Sequence, residues 1–586
     1  MRHSLLLIAL AFSAGNASAT PLTTAPLTQP FASSTVVAND LIKQGRALLK
    51  AGKTDAALAL FEQADKASGQ SSETHIWVLR AWMDQDRIND AFNEADKLRD
   101  AGHKSAGLDY LYGYGSFAKA KKLMREGAGA SIGFAFGDAV SYLQAALDQD
   151  EATFADAWVT LAHASWYAPE LDRAERAILK AVEHDPKSAL VHSVQGEIYF
   201  SLYKDLVGRT PQGEAADRTF AKTALASFSR AADLTPDKKE SAPQQFAIWR
   251  QMGNVHAWLT DLSKAGECFA EALSWDPQMM DYNMMWQTMA PKSDLTAFNA
   301  SLATGLTGYK KRFGEHGAGA GMLLWWLGYG QLTAKDFEAA EVSFLESVER
   351  NKDYANSWFY VGMARYYQAQ YQEACEGWLA YWDIDPTSLV TTIRGNVGAN
   401  VPILVFATGK VSDAGYQRQD SLANWKLAER MNVVLSATEP GNGLYWNNLG
   451  LLRRDIGELT MRSVEGVKDE DVIKLYEDSY VAYAKAVSFA PNDPGYLNDA
   501  AVLLQYYLGR DLDTAREYYD KAQVEAQKLI EAESWASLPA DKRADEEERI
   551  RTALRDGADN LRKMDAGQVG TRNPIIRKQR AEQRGE

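Results

Sequence analysis

Residues 358–386 read WFYVGMARYYQAQYQEACEGWLAYWDIDP. Small and large residues stand at fixed intervals in this stretch, with gaps of 12, 4, 3 and 5 between Gly362, Ala374, Trp378, Tyr381 and Pro386. Gaps of 4 and 3 place side chains on one face of a helix. Proline, which lacks a backbone N–H, stops a helix and begins a turn. The stretch therefore predicts two helices in a hairpin, with small residues where the helices cross.

The same spacing recurs along the chain. All four gaps are repeated in two further sets, Ala162/Ala174/Ile178/Ala181/Pro186 and Gly253/Ala265/Phe269/Ala272/Pro277. The first three gaps also relate Gly45 to Ala57, Phe61 and Ala64, and Gly328 to Ala340, Phe344 and Ser347. Three sets that open at Gly113, Gly196 and Gly450 carry 14, 16 and 17 extra residues between their helices. These insertions predict either binding loops on one rim or longer helices. One hairpin cannot cover its own apolar face, so the hairpins must stack.

These residues resemble the tetratricopeptide repeat, a helix-turn-helix unit of about 34 residues with Trp, Leu, Gly, Tyr, Ala, Phe, Ala and Pro at characteristic positions. The match is most specific around Trp158, Trp249 and Trp358, and it covers about residues 39–525. The resemblance implies an all-α fold, an α-α superhelix of about ten to eleven hairpin units, some of them degenerate. It also implies that protein or peptide partners bind along the concave face.

The repeat pattern divides the chain into segments. They are a signal peptide (1–19), a flexible leader (20–38), an N-terminal repeat array (39–277), a degenerate helical unit (278–320), an aromatic-rich pair of repeats (321–386), a non-repeat excursion with a degenerate unit (387–440), C-terminal repeats (441–530), and a charged helix with a basic tail (531–586). The excursion includes 388–416, whose secondary structure the pattern does not define. The basic tail is expected either to be solvated or to contact a partner or a membrane surface.

The first residues are typical of an export signal. Arg2 precedes the apolar stretch from Leu5 to Ala14, and Ala17-Ser18-Ala19 forms a small-residue cleavage site. We therefore expect an exported protein, periplasmic or extracellular, that is cleaved near Ala19. No later stretch approaches the roughly 18–20 apolar residues that a membrane span requires, so we expect a chain that does not span a membrane.

The aromatic-rich repeats supply the candidate binding residues. Of the 65 residues from 322 to 386, 15 are aromatic, although aromatic residues make up only 11% of the chain. In the resemblance, the first helix of each unit lines the concave face, which gives a partner-binding groove of Trp325, Trp326, Tyr329, Phe359, Tyr360, Tyr366 and Tyr367. Rigid aromatic side chains suit peptide capture or sugar stacking. The alternative is that the degenerate segments fold over these rings and make them extra core.

A second candidate is a basic end in the first two units. The same positions there carry Lys43, Arg46, Lys50 and Arg80, which predict a site for a carboxylate or an acidic segment. The alternative is a solvated basic face.

Composition excludes other classes of function. With 63 basic and 78 acidic residues the net charge is −15, which argues against nucleic-acid binding driven by positive charge. Cys268 and Cys375 fall in different units, and we expect two separate buried thiols. No catalytic, metal or cofactor motif is found. The sequence predicts a non-enzymatic scaffold or adaptor of the cell envelope that binds a partner polypeptide; the alternative is a glycan-binding or polysaccharide-export accessory protein.

Overall fold

The computed structural model describes residues 34–127, 129–292, 295–314, 319–352 and 354–584. The predicted signal peptide and residues 20–33 of the predicted leader lie outside this part of the chain. Every regular element in the described residues is helical, which confirms the predicted all-α fold class. The chain divides after Asp205 into two compact units, each of which is described by itself.

The first unit is an array of helical hairpins. Its helices are α1 Ser34–Lys50, α2 Thr54–Ala67, α3 Ser72–Asp84, α4 Ile88–Asp100, α5 Ala106–Arg125, α6 Gly129–Phe154, α7 Ala157–Tyr167 and α8 Leu171–His184, and α9 Ala189–Arg209 crosses the division. Consecutive helices pair as α1–α2, α3–α4, α5–α6 and α7–α8. Ala38 is buried in α1, so residues 34–38 of the predicted leader are part of the first hairpin.

The second unit continues in the same way and ends in two further helices. Its helices are α10 Thr219–Leu234, α11 Ala242–Trp258, α12 Leu262–Trp275, α13 Tyr282–Met289, α14 Thr296–Phe313, α15 Ala320–Thr333, α16 Phe337–Arg350, α17 Asn356–Tyr367, α18 Tyr371–Ile384, α19 Pro386–Arg394, α20 Val397–Tyr416, α21 Ser421–Thr438, α22 Gly443–Ser463, α23 Asp469–Phe489, α24 Pro494–Val502, α25 Leu512–Glu531, α26 Ala540–Asp565 and α27 Pro574–Arg584. The main hairpins are α11–α12, α15–α16, α17–α18, α20–α21, α22–α23 and α24–α25.

The predicted small residues lie at the helix crossings. In each of six hairpins, the glycine of the first helix contacts the large side chain predicted on the second: Gly45 and Phe61, Gly113 and Leu143, Gly253 and Phe269, Gly328 and Phe344, Gly362 and Trp378, Gly450 and Tyr483. A Cβ atom at these glycines would lie 2.3 to 2.9 Å from the nearest partner atom. Only glycine permits this approach, so the spacing in the sequence is the spacing of the core contacts.

Two of the three insertions extend helices. The hairpin that opens at Gly113 has helices of 20 and 26 residues, the longer of which is kinked at Asp150, and the one at Gly450 has two of 21. The uninterrupted hairpin α17–α18 has helices of 12 and 14 residues. The extra residues of these two hairpins therefore add helical turns, whereas the set that opens at Gly196 has a non-helical segment, residues 210–218, between α9 and α10.

Segment 388–416, left open by the sequence, is helical. It forms most of α19 and all of α20, and α20 pairs with α21, whose Trp425 ring packs against Gly415. In the described part of the chain, no single helix is both long and apolar enough to cross a membrane. The pair α19 and α20, bent by 117°, meets that test by length and composition only.

The degenerate unit also departs from the regular hairpin. Helix α12 packs directly against α14, although the short α13 comes between them in the chain. Tyr282, Met285 and Met289 anchor α13 in the core. This departure places α13 beside α15, where it forms part of the candidate site.

Candidate functional site

Helix α15 is apolar around its whole circumference. Its sequence, AGMLLWWLGYGQLT, contains no charged residue. Such a helix must be covered on more than one side. Leu323 and Leu324 are buried in the core, and Gly328 packs on Phe344 of α16. Met322, Trp325, Trp326 and Tyr329, spaced by three and four residues, share another face.

That face of α15 is one wall of a pocket of about 500 Å³. Helix α13 supplies a second wall, α17 a third, and the segment before α17 the rest. The lining residues are Asn283, Trp286, Met322, Trp325, Trp326, Tyr329, Tyr354 and Tyr360. The volume is within the range of small-ligand sites, which is about 300–1,000 Å³.

The rings of the pocket meet mostly edge to face. Trp325 stacks on Tyr329 with ring centroids 5.4 Å apart and planes 5° apart. Tyr360 stands at 89° to Trp325 with centroids 5.1 Å apart, and at 84° to Tyr329. From α13, Trp286 reaches Tyr329 at 5.1 Å and Trp326 at 6.1 Å. Because each ring is held by others, the walls are rigid, and a ligand would freeze few side-chain rotors.

The pocket is uncharged. Six of its eight lining residues are aromatic, and the other two are a methionine and an asparagine. Burial, together with the neighbouring Tyr329, Tyr354 and Tyr381, raises the pKa of Tyr360 to about 12. Burial also raises the pKa of Tyr354. These hydroxyls therefore stay neutral at physiological pH, and the pocket offers apolar surface with a few neutral hydrogen-bonding groups.

The seven predicted groove residues separate into three groups. Trp325, Trp326, Tyr329 and Tyr360 line the pocket. Phe359 is only 3% exposed and packs in the core beneath α17, so it does not line the pocket.

The remaining two residues, Tyr366 and Tyr367, belong to a separate surface cluster. Tyr366 lies 6.1 Å from Phe406 and 5.8 Å from Tyr371, while Tyr367 stacks on Phe337 at 5.0 Å. Their positions in the repeat predict that Tyr366 and Tyr367 lie on the first helix of a hairpin, which is α17. Those positions do not show whether a ring lines the pocket or belongs to this cluster.

The pocket also contains residues that the sequence analysis did not single out. Trp286 and Asn283 lie on α13, in the segment that lacks the repeat signature, and Tyr354 precedes α17. The signal for Trp286 was its spacing from Tyr282 and Met289, which places these residues along one apolar stripe of a helix. The sequence left two alternatives, an open groove and rings covered by the degenerate segments. The structure lies between them, because α13 covers part of the α15 face and leaves a pocket beside it.

The predicted basic end lies in the first unit, and three of its four cations are paired within the chain. Arg46 contacts Asp156 at 3.0 Å, and its guanidinium lies 4.6 Å above Trp77. Lys50 contacts Asp185 at 2.5 Å.

The other two cations differ from each other. Arg80 contacts Asp84 at 2.7 Å and lies over the ring of Tyr114, whereas Lys43 is exposed. An incoming anion would therefore compete with carboxylates already in place, and anion binding at this end stays a prediction.

The two cysteines are buried and have raised pKa values. Cys268 and Cys375 are free and buried, as predicted, and no disulfide joins them. Burial is the largest cause of a rise in the pKa of each thiol to about 12. Thiols with such pKa values are poor nucleophiles at neutral pH. Among the described residues, no group of three or more His, Cys, Asp or Glu side chains is arranged to hold a metal ion.

No protein-family model and no curated protein matches this chain. Solved structures that are similar to it include the following two. One is the TPR domain of P58(IPK), with 13% sequence identity, a TM-score of 0.19, and coverage of 70% of this chain and 99% of that one. The other is the APC/C hetero-tetramer Cut9-Hcn1, with 12% identity, a TM-score of 0.25, and coverage of 89% and 96%. At such TM-scores the fold assignment depends on the hairpins themselves: the chain is an all-helical repeat whose glycines pack on large residues at the spacing that the tetratricopeptide-repeat resemblance predicts.

Proposed function

We propose that this protein is a non-enzymatic scaffold that captures a segment of a partner polypeptide in the pocket formed by α13, α15 and α17. The observation that carries the proposal is the uncharged aromatic lining, in which six rings line an open pocket of about 500 Å³. Interfaces are commonly anchored by side chains that fill such pockets, and aromatic walls bind them with little loss of conformational entropy.

The arrangement of the rings supports a polypeptide partner over a glycan. Sugars stack on an open, flat aromatic face, whereas Tyr360 stands nearly perpendicular to both Trp325 and Tyr329. Rings on several walls of an open pocket suit an inserted apolar or proline side chain. Backbone groups of an extended segment would then meet the neutral hydroxyls and the Asn283 amide at the rim.

The proposal is tested by measuring peptide binding to one variant in the pocket and to one variant outside it. Peptides selected by the full chain from a random display library would be titrated by fluorescence polarisation against the wild type and Trp326→Ala. Trp326 is half-buried at the pocket, and its loss should weaken binding by about 30-fold, the equivalent of about 2 kcal/mol. Trp446→Ala, which removes a half-buried tryptophan from α22, is the matched control and should bind as the wild type does.

Three outcomes would overturn the proposal. The library yields no specific peptide; the selected peptides bind Trp326→Ala with unchanged affinity; or a soluble polysaccharide saturates the tryptophan fluorescence of the wild type and competes with every peptide. The third outcome would replace the polypeptide partner with a glycan.

The proposal includes export to the cell envelope. Its support is the sequence of residues 1–19, with Arg2, the apolar stretch and the small-residue site at Ala17-Ser18-Ala19. The intact mass of the protein recovered from its native cells should correspond to a chain that begins near Thr20. A chain that retains Met1 would contradict export by this signal.

A further inference from the structure

The last described residues return to the body of the second unit. Helix α26 packs along α25 and α24, and the chain then turns so that α27 lies against α23. The segment from Gln568 to Arg584, called the C-terminal strap, contacts the end of the first helix in the last regular hairpin. The sequence predicted a solvated end or an external contact for this tail, whereas the structure shows an internal docking.

The strap binds to a break in helical geometry. Helix α24 continues into a π-helical turn, Leu503–Leu508. The last carbonyl groups of a helix have no partner within it. The backbone N–H of Gly570 donates to the carbonyl of Gln505 at 2.8 Å, and that of Arg572 donates to the carbonyl of Tyr506 at 2.9 Å. The strap thus supplies hydrogen-bond donors that the π turn requires.

Asn573 joins the two helices that meet at this point. Its Nδ2 donates to the carbonyl of Tyr507 at 2.8 Å, while its Oδ1 accepts from the backbone N–H of Ile576 at 3.1 Å. The second contact is an N-cap of α27, and Pro574 occupies the position after the cap, where proline is favoured. Asn573 is only 5% exposed, and its amide supplies both the donor and the acceptor of these contacts, so alanine at this position would leave buried backbone groups unpaired.

Gln505, in the π turn, is hydrogen-bonded both to Tyr519 and to the strap. Its side chain is fully buried; Oε1 accepts from the Tyr519 hydroxyl at 2.7 Å, and Nε2 donates to the carbonyl of Gln568 at 3.0 Å. Beside it, Ile576 packs on Gly509 and Gly570. A Cβ atom at these two positions would lie 2.5 and 2.7 Å from the Ile576 Cδ1, so the glycines form the cradle for this one apolar side chain.

The charges of the strap and its surface are opposite. Arg572 contacts Glu458 of α22 at 3.0 Å and the Tyr507 hydroxyl, and Lys578 contacts Asp469 in the first turn of α23. The strap carries further basic residues, Arg577, Arg580 and Arg584. The first turn of α23 also contains Glu470 and Asp471. The two ion pairs therefore join basic groups of the strap to acidic groups of the surface, on which Arg454, over the Tyr507 ring, is a basic exception.

We propose that this surface is a second peptide-recognition site, distinct from the aromatic pocket, and that the strap occupies it as a ligand in cis. The site takes a basic segment whose asparagine caps the π turn and starts a helix. The occupant is the chain's own C-terminal strap, which a second copy of the same segment can replace in trans.

The contacts are those of a bound peptide. They comprise backbone hydrogen bonds, the Asn573 amide, half-exposed ion pairs, Ile576 in its glycine cradle and the partly buried Val569. Helix α26 already covers α24 and α25 without the strap. Segments held in this way open at lower free energy than the core.

The test uses the full chain and a fluorescein-labelled synthetic peptide of residues 566–584. In Asn573→Ala, hydrogen exchange of 570–584 should become fast, and the labelled peptide should bind to the vacated surface. The wild-type chain should bind the peptide at least about tenfold more weakly, because its own strap competes at a high effective concentration. A peptide with the same asparagine replaced by alanine should not bind, and raised salt should weaken binding of the native peptide.

Exchanging the charges of the Lys578–Asp469 ion pair provides a control in case Asn573→Ala disturbs folding. Lys578→Glu alters an exposed side chain and should speed exchange of the strap, whereas Lys578→Glu with Asp469→Lys should restore protection. The proposal is overturned if the strap of Asn573→Ala exchanges freely and the peptide does not bind, or if neither variant alters exchange. Both results are independent of the aromatic pocket, since no residue of that pocket is changed.

Discussion

Replacing Gly362 with alanine tests whether the hairpin crossings hold the fold together. The added Cβ atom would lie 2.3 Å from Nε1 of Trp378, about 1 Å inside van der Waals contact. Trp378 is fully buried, and its Nε1 donates to the carbonyl of Phe359 at 3.1 Å. The indole cannot shift without losing this hydrogen bond or displacing α18.

The magnitude follows from three contributions. Overpacking a buried contact costs about 1–3 kcal/mol. Leaving a buried donor or acceptor unpaired costs about 1–3 kcal/mol. Alanine favours a helix over glycine by about 0.8–1.0 kcal/mol, which offsets part of the loss. We therefore expect Gly362→Ala to destabilise this hairpin by about 1–5 kcal/mol.

Hydrogen exchange read by mass spectrometry is the suitable assay, because contacts in repeat proteins act mainly between neighbours and the loss should be local. Peptides from α17 and α18 should lose protection, while peptides from α24 and α25 should change little. Gly409→Ala is the matched control: it lies within α20, is exposed, and has no atom within 4 Å of an added Cβ, so it should be neutral or slightly stabilising. If Gly362→Ala behaves as Gly409→Ala does, the close crossing is not the source of stability.

Two further predictions concern buried polar groups. Burial raises the pKa of Asp499, whose carboxylate accepts from Asn447 at 3.1 Å, while Arg454 and Arg549 offset part of the rise and Asp493 adds to it. A raised folded-state pKa means that stability is present below the unfolded-state pKa, about 4, and is lost as pH rises through the folded value. Asp499→Asn should therefore be more stable than the wild type at pH 7, with a difference that shrinks toward pH 4 in denaturant titrations; equal stability at both pH values would contradict the desolvation of this carboxylate. For Cys268 and Cys375, native protein at pH 7.5 should resist a maleimide reagent that labels both thiols in denaturant, and rapid native labelling would refute their burial.

Sequence predicted the features that depend on neighbouring residues. A hairpin brings positions 16 apart into contact, so Gly362 and Trp378 can be recognised as partners without coordinates. The same spacing identified the hairpins that open at Gly113 and Gly450, although it did not show that their insertions lengthen helices. Local periodicity was sufficient because each crossing is made within one repeat.

Features that depend on contacts distant in the chain were not predictable in this way. The strap looked like a polar, basic end, since nothing near Asn573 shows that a π turn about 65 residues earlier presents free carbonyl groups to it. Phe359 and Tyr360 are adjacent in sequence and both aromatic, yet the first is in the core and the second lines the pocket. Their difference is set by which helix packs on each side of α17.

The pocket lies where the regular pattern of hairpins is interrupted. In a regular array, each hairpin is covered by the next, and no space remains between them. Helix α13 interrupts this regular stacking. Helix α12 packs on α14, and the apolar face of α15 contacts Trp286 of α13 instead of a full-length helix. Trp286 is large enough to touch Trp326 and Tyr329 but too small to fill the space that a full helix would occupy. A degenerate repeat beside an excess of aromatic residues is thus the sequence signal of the pocket in this chain, since the degenerate segment opens the space and the aromatic residues make its walls.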